Sequence, residues 1–161
     1  MNKVLAIVVS AILTIIQVTV FPMLKIGWIN YNFALVTIVV LCCLCGGKTA
    51  IINAAIVSFI YDIFASDVLG TYILIYMLIA IIIQLLSKHM FSRNIKASVV
   101  FTLAATLISE LVVYWICYAF NGMAYNAFVL SKIILPQCIV NLVVCLVVFW
   151  LFKSVLKVKR D

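Results

Sequence analysis

The carboxylates are the side chains of this sequence that stand out most for their chemistry, because acidic residues are rare in it. Only four acidic residues occur among 161, and 69% of the sequence is hydrophobic. Asp62 stands near the end of a long apolar run, and Glu110 stands in the middle of another. An ionisable group inside such a run is a functional candidate, unless it is a structural carboxylate that neighbouring groups hydrogen-bond.

The environment predicted for Glu110 favours a neutral carboxyl. Burying a charge at the centre of a membrane helix costs about 2.5–3.5 kcal/mol on insertion scales. No lysine or arginine falls at a matching depth of the predicted helices. A neutral, hydrogen-bonded Glu110 is therefore expected rather than an ion pair or a carboxylate that faces a wet cavity.

The residues that could indicate catalysis or a bound cofactor do not form the patterns that such sites require. The only histidine, His89, stands in a basic loop away from any carboxylate, and the six cysteines all fall in apolar runs, as small buried hydrophobic residues do. The segment 42–49 ends like a phosphate-binding loop, but Cys42 replaces its first glycine and no strand precedes it. We expect no enzyme activity, no cofactor and no metal ion.

The composition indicates an all-α membrane protein. Mean hydropathy is +1.40 and only 9% of the residues are charged, against roughly 25% in soluble domains. Apolar runs of about 18 residues recur, and each is long enough to cross a hydrocarbon core of about 30 Å as a helix. The sequence predicts one domain over 1–161, a bundle of six transmembrane helices. Their predicted ranges are 4–21, 28–45, 49–65, 70–87, 97–120 and 132–152.

The basic residues predict how this bundle is oriented. With both termini in the cytoplasm, only Lys25 and Lys132 of the eleven basic residues face outward, which leaves nine inside. Positive charge collects in cytoplasmic loops of membrane proteins. The net charge of +7 is then explained by topology and by anionic lipid, and no nucleic-acid partner is expected.

Polar and small residues predict the faces along which helices meet. Small residues on one face allow close approach of another helix. On the third predicted helix, one arc of about 140° holds Ala50, Ala54, Ala55, Ser58, Asp62 and Ala65. Asp67 is expected in the following turn, either solvated or as a helix cap. A second set of polar residues falls in the middle or outer half of the membrane: Gln17, Asp62, Glu110, Gln137 and Asn141. If these side chains meet, they form either a pocket that opens outward or hydrogen bonds between helices, and the hydrogen bonds are favoured.

Two ordered motifs stand at the ends of the first and third predicted helices. The first helix ends IQVTVFP, with Gln17, Thr19 and Pro22. The third ends YDIF, with Asp62, and a short turn closing on Leu-Gly70 leads into the next helix. These motifs resemble those of the MreD family of bacterial rod shape-determining proteins, although the turn reads Asp-Val-Leu-Gly where the family often has a proline before Leu-Gly. The similarity covers the whole chain in length and number of spans, but its motifs lie only within 16–22 and 58–76.

The resemblance implies a non-enzymatic scaffold of the cell-elongation machinery in the bacterial inner membrane. Members bind the single-span protein MreC and work beside MreB filaments, the RodA glycosyltransferase and a class B penicillin-binding protein. The family's six-helix fold resembles the substrate-binding S components of energy-coupling-factor transporters, and such a transporter subunit is the alternative function. A membrane-anchoring fragment of a larger protein is a third possibility. The residues expected to contact a partner or to hold the structure are Gln17, Thr19, Pro22, Ala50, Ala54, Ser58, Asp62, Gly70 and Glu110.

Overall fold

A computed structural model describes residues 2–20, 31–66, 69–87, 94–121 and 127–156 of the chain. Every regular element in these ranges is an α-helix, which confirms the predicted all-α class and the six helices. They are α1 (Asn2–Thr19), α2 (Phe33–Leu44), α3 (Gly47–Ala65), α4 (Thr71–Ser87), α5 (Ile95–Asn121) and α6 (Ala127–Val155).

Three of the six helices contain a stretch long and apolar enough to cross a membrane. These stretches are Gly47–Ala65, Ile95–Ile116 and Ile134–Val155, in α3, α5 and α6. The apolar helices α1, α2 and α4 are shorter. With 12 residues, α2 is only about 18 Å long at 1.5 Å per residue.

The start of α2 differs from the prediction of a span over 28–45. Tyr31 and Asn32 are not helical, and the helix begins at Phe33 because the side chain of Asn32 caps it. Residues 28–30 lie outside the described ranges. The apolar run therefore contains a polar helix start, which hydropathy alone does not resolve.

The short helix α2 lies at the centre of the bundle. It contacts all five other helices, and each of its residues from Ala34 to Leu44 is buried. The others surround it in the order α1, α3, α4, α5, α6, and each packs against the next. A helix that is apolar on all sides, as α2 is, requires such complete burial or lipid around it.

The ring around α2 has two loose joints. The pairs α3–α4, α5–α6 and α1–α3 share extensive contacts, whereas α4 meets α5, and α6 meets α1, over little surface. The fold therefore consists of one block of α1, α3 and α4, a second block of α5 and α6, and α2 between them. Two apolar clusters reflect this, one joining α2 mainly to α3 and α4, the other joining α2 mainly to α6.

Candidate functional site

Polar side chains accept the first backbone N–H groups of α2, which have no partner within the helix. The first amide groups of a helix have no partner within it. Asn32 Oδ1 accepts the backbone N–H of Leu35 at 3.0 Å, and Gln17 Oε1 on α1 accepts that of Ala34 at 3.0 Å. Gln17 Nε2 also donates to the carbonyl of Tyr31 at 2.8 Å. The predicted candidate Gln17 thus fastens α1 to the start of the central helix.

Asn32 also joins α2 to the opposite side of the ring. Its Nδ2 donates to the hydroxyl of Tyr76 on α4 at 2.6 Å, and its backbone N–H donates to Asn141 Oδ1 on α6 at 2.9 Å. Asn141 Nδ2 in turn donates to Thr106 Oγ1 on α5 at 3.1 Å. We call Gln17, Asn32, Tyr76, Thr106 and Asn141 the polar hub. All five are buried, and together they connect α2 with four of the five surrounding helices.

Helices α5 and α6 are joined by a ladder of three polar contacts, one helical turn apart. Thr102 Oγ1 donates to Cys145 Sγ at 3.3 Å, and Asn141 donates to Thr106 as described. Glu110 Oε1 then accepts Gln137 Nε2 at 2.7 Å. The polar residues recur every four positions in both helices, and residues four apart share one helix face. The ladder therefore fixes the antiparallel register of the second block.

Asp62 closes the corner between α3 and α4. Its Oδ1 accepts the backbone N–H of Tyr72 at 2.9 Å, and its Oδ2 accepts that of Gly70. The side chain is buried, and a carboxylate at a helix amino end is favoured by the helix dipole. Gly70 has φ +97°, a conformation that L side chains rarely adopt. Asp62 therefore caps the start of α4 from the end of α3. Asp67, for which the sequence allowed a capping role, lies outside the described residues.

A further polar contact joins α1 to α3. The hydroxyl of Ser10 contacts Asn53 Oδ1 and also lies 2.8 Å from the carbonyl of Ile7. Both Ser10 and Asn53 are fully buried. Because side-chain hydrogen bonds serve as connections between membrane helices, this contact stabilises the first block.

The small residues of α3 contact the protein's own helices. Ala50, Ala54 and Ser58 are fully buried, where α3 meets α1, α2 and α4. Of the two roles predicted for these residues, contact with a partner or support of the structure, their burial favours the second. Ala55 and Ala65, which the sequence placed in the same arc, are exposed.

The remaining predicted candidates lie apart from the hub. Thr19 is exposed, and its hydroxyl donates to the carbonyl of Ile15 at 2.7 Å. Pro22 lies outside the described residues. Glu110 is partly buried beside Gln137. The predicted polar set is thus divided among the hub, the ladder and the α3–α4 corner.

Three residues that position the helices, Asn32, Asn53 and Tyr76, were not predicted from the sequence. Asn32 directly precedes a fully apolar run, which is a typical signal for a helix cap. Tyr76 and Asn53 offered no comparable signal, since a tyrosine or asparagine in an apolar run is compatible with several orientations. No cluster of three His, Cys, Asp or Glu side chains suited to a metal ion occurs in the part of the chain that the structure describes.

Comparison with known families identifies the chain. Residues 1–158 match the family model described as rod shape-determining protein MreD. The chain belongs to the MreD family. The resemblance drawn from residues 16–22 and 58–76 is thereby confirmed, and membership gives the protein a role in rod shape determination. MreD proteins are shape-determining membrane proteins and are not known as enzymes. No curated protein and no solved structure matches the chain.

Proposed function

We propose that this MreD-family protein is a non-enzymatic, multi-pass scaffold of the cell-elongation machinery in the bacterial inner membrane. It binds an MreC-like single-span protein, and through this complex it acts beside RodA and a class B penicillin-binding protein in lateral peptidoglycan synthesis. All six helices cross the membrane, with both termini in the cytoplasm. The observation that carries the proposal is the family match over residues 1–158.

The use of the buried polar groups supports a scaffold over a transporter. An S component would need Gln17, Asp62 and Asn141 to face a ligand. Gln17 and Asn141 instead bond the start of α2, and Asp62 bonds the backbone at the start of α4. Side chains engaged in this way hold helices in place, and a ligand would have to displace those bonds.

The architecture also suits a protein that presents a fixed surface in lipid. Helix association in a membrane depends on packing and hydrogen bonds, because lipid is as apolar as the side chains. The hub and the ladder supply such bonds inside the bundle. The exposed side chains include large apolar residues on α1, α3, α4, α5 and α6, which leaves their outer surfaces available to lipid or to helices of other proteins.

Depletion of the protein in its native host tests this function. We expect cells to widen and round up, and newly inserted wall material to lose its lateral distribution, as followed with a fluorescent wall precursor. Re-expression of the wild-type chain, and of a Val147→Ala control at a side chain 63% exposed on α6, should restore the rod. Cells that keep their width but lose uptake of a vitamin would contradict the scaffold function and support the transporter subunit.

A further inference from the structure

The outward face of α6 ends in a tryptophan followed by a lysine. Residues three and four positions apart share one face of a helix, and on α6 such a series forms an exposed stripe. Its members, each more than half exposed, are Ile139, Val143, Val147 and Trp150. The stripe lies within Ile134–Val155, a stretch long and apolar enough to cross a membrane. It therefore faces out of the bundle toward lipid.

Lys153 continues this stripe by one helical turn. Its Nζ lies 5.9 Å from the centroid of the Trp150 ring. Side chains of an α-helix point back toward its amino end, and here that direction leads toward the membrane. Tryptophan is enriched at the boundary between membrane and water, where lipid head groups lie. The Lys153 ammonium is thus held beside an exposed indole at the level of the head groups.

The described acids do not balance the charge of Lys153. Among the described residues the acids are Asp62 and Glu110, and Asp161 lies outside them. Glu110 contacts Gln137, which is about 24 Å from Lys153 along α6 at 1.5 Å per residue. Asp62 bonds the backbone at the start of α4, at the opposite end of the bundle. Neither carboxyl group can pair with this ammonium.

The start of α5 adds a second positive charge at the same end. Lys96 is exposed in the first turn of α5. Its neighbour Ile95 packs against the same apolar cluster that contains Phe152, which directly precedes Lys153. A zwitterionic phospholipid carries its own cation and adds no net negative charge to this surface. A phospholipid with a net negative charge supplies the missing counter-charge.

We propose that Trp150 and Lys153 form a binding site for an anionic phospholipid. The lipid phosphate pairs with the Lys153 ammonium, and the acyl chains lie along the exposed apolar stripe of α6. Lys96 raises the positive potential at the head group. The site requires only that α6 crosses the membrane, so it is independent of the proposed scaffold function and can fail without it.

Tryptophan fluorescence of the purified full-length chain in bilayers tests the site. Trp28 and Trp115 are replaced by phenylalanine, so that Trp150 is the only indole that emits. Phospholipids with brominated acyl chains quench an indole that they contact. We expect brominated phosphatidylglycerol to occupy the site about fivefold more strongly than brominated phosphatidylcholine, which corresponds to the attraction of about one lysine near a charged head group. Equal quenching by the two lipids would overturn the proposal.

Two charge variants of the chain with Trp150 alone locate the preference. Lys153→Gln should reduce the preference for phosphatidylglycerol to less than about twofold. Lys48→Gln removes the same charge from the exposed first turn of α3, a helix whose described residues do not pack against α6, and should leave the preference unchanged. Circular dichroism checks that both variants keep the helical content of the parent chain. An equal fall in both variants would indicate only a general attraction of the basic surface and would overturn the site.

Discussion

Asn32 has several structural tasks at once, although it stands outside every helix. Its side chain caps α2 and binds Tyr76, and its backbone binds Asn141. A single amide therefore sets the start of the central helix and its position relative to α4 and α6. Buried polar groups are retained in membrane helices where they fix such relationships, because the surrounding lipid offers no replacement partner.

Replacing Asn32 should therefore destabilise the fold. Asn32→Ala removes the cap of α2 and the bond to Tyr76 while leaving the backbone bond to Asn141. A cap is worth about 1 kcal/mol and an interhelical hydrogen bond in a membrane about 0.6 kcal/mol, so we expect a loss of about 2 kcal/mol. Unfolding in mixed micelles with increasing sodium dodecyl sulfate measures it. Val147→Ala, at a side chain 63% exposed on α6, serves as control, and equal stability of the two variants would refute the role of Asn32.

Asp62 should control the order of the turn before α4. Asp62→Ala leaves the N–H groups of Gly70 and Tyr72 without acceptors, whereas Asp62→Asn retains one acceptor oxygen. Hydrogen–deuterium exchange at residues 70–72 is expected to be fastest in Asp62→Ala, intermediate in Asp62→Asn and slowest in the wild type. Leu69→Ala, in the same turn with a 78% exposed side chain, is the control. Unchanged exchange in Asp62→Ala would exclude the capping function.

At the scale of helices, the sequence was informative about number and type but not about position. Long apolar runs predicted six helices, because their length and composition determine that choice. The central place of α2 was not predictable, since a helix that is apolar all round is equally compatible with lipid and with other helices. The sequence indicated only part of the ladder between α5 and α6. Its polar residues recur at four-residue intervals, but pairing them required the antiparallel packing of the two helices.

The neighbouring residues Ala54 and Ala55 show the limit of the small-residue pattern on α3. Ala54 is fully buried and Ala55 is exposed, although both fall in the predicted arc. Ala54→Leu should overfill the contact with the chain's own helices and cost about 1–3 kcal/mol. Ala55→Leu should remain close to wild type. Thermal unfolding in detergent compares them, and a tolerated Ala54→Leu would contradict the close packing of this face and favour its contact with a partner.

At the scale of the molecule, the helix directions separate most of the charges. Of the five lysines in the described ranges, Lys3, Lys48, Lys96 and Lys153 lie near the helix ends at the side where α2 finishes, and Lys132 lies near the start of α6, toward the other side. The described acids lie toward the other side, Asp62 at the α3–α4 corner and Glu110 in the ladder. The loose joints at α4–α5 and α6–α1 run between these two ends, so the two blocks are connected mainly through α2.

The proposed orientation makes a labelling prediction. Leu69→Cys, in the exposed α3–α4 turn, should react with a membrane-impermeant thiol reagent in intact cells from which the outer barrier has been removed. Lys96→Cys, at the exposed start of α5, should react only after the inner membrane is permeabilised. The chain with Cys45→Ser provides the background for both variants, because Cys45 is only partly buried, whereas Cys42, Cys43, Cys138 and Cys145 are buried. The reverse pattern of labelling would invert the proposed topology.

The most direct test of the scaffold account is to identify the proteins that accompany the chain in the membrane. The chain is tagged in its native host and purified in mild detergent, and the co-purifying proteins are identified by mass spectrometry. The account predicts an MreC-like single-span protein together with wall-synthesis enzymes. Recovery of a coupling membrane subunit with paired ATPases would contradict it and would identify the chain as a transporter subunit.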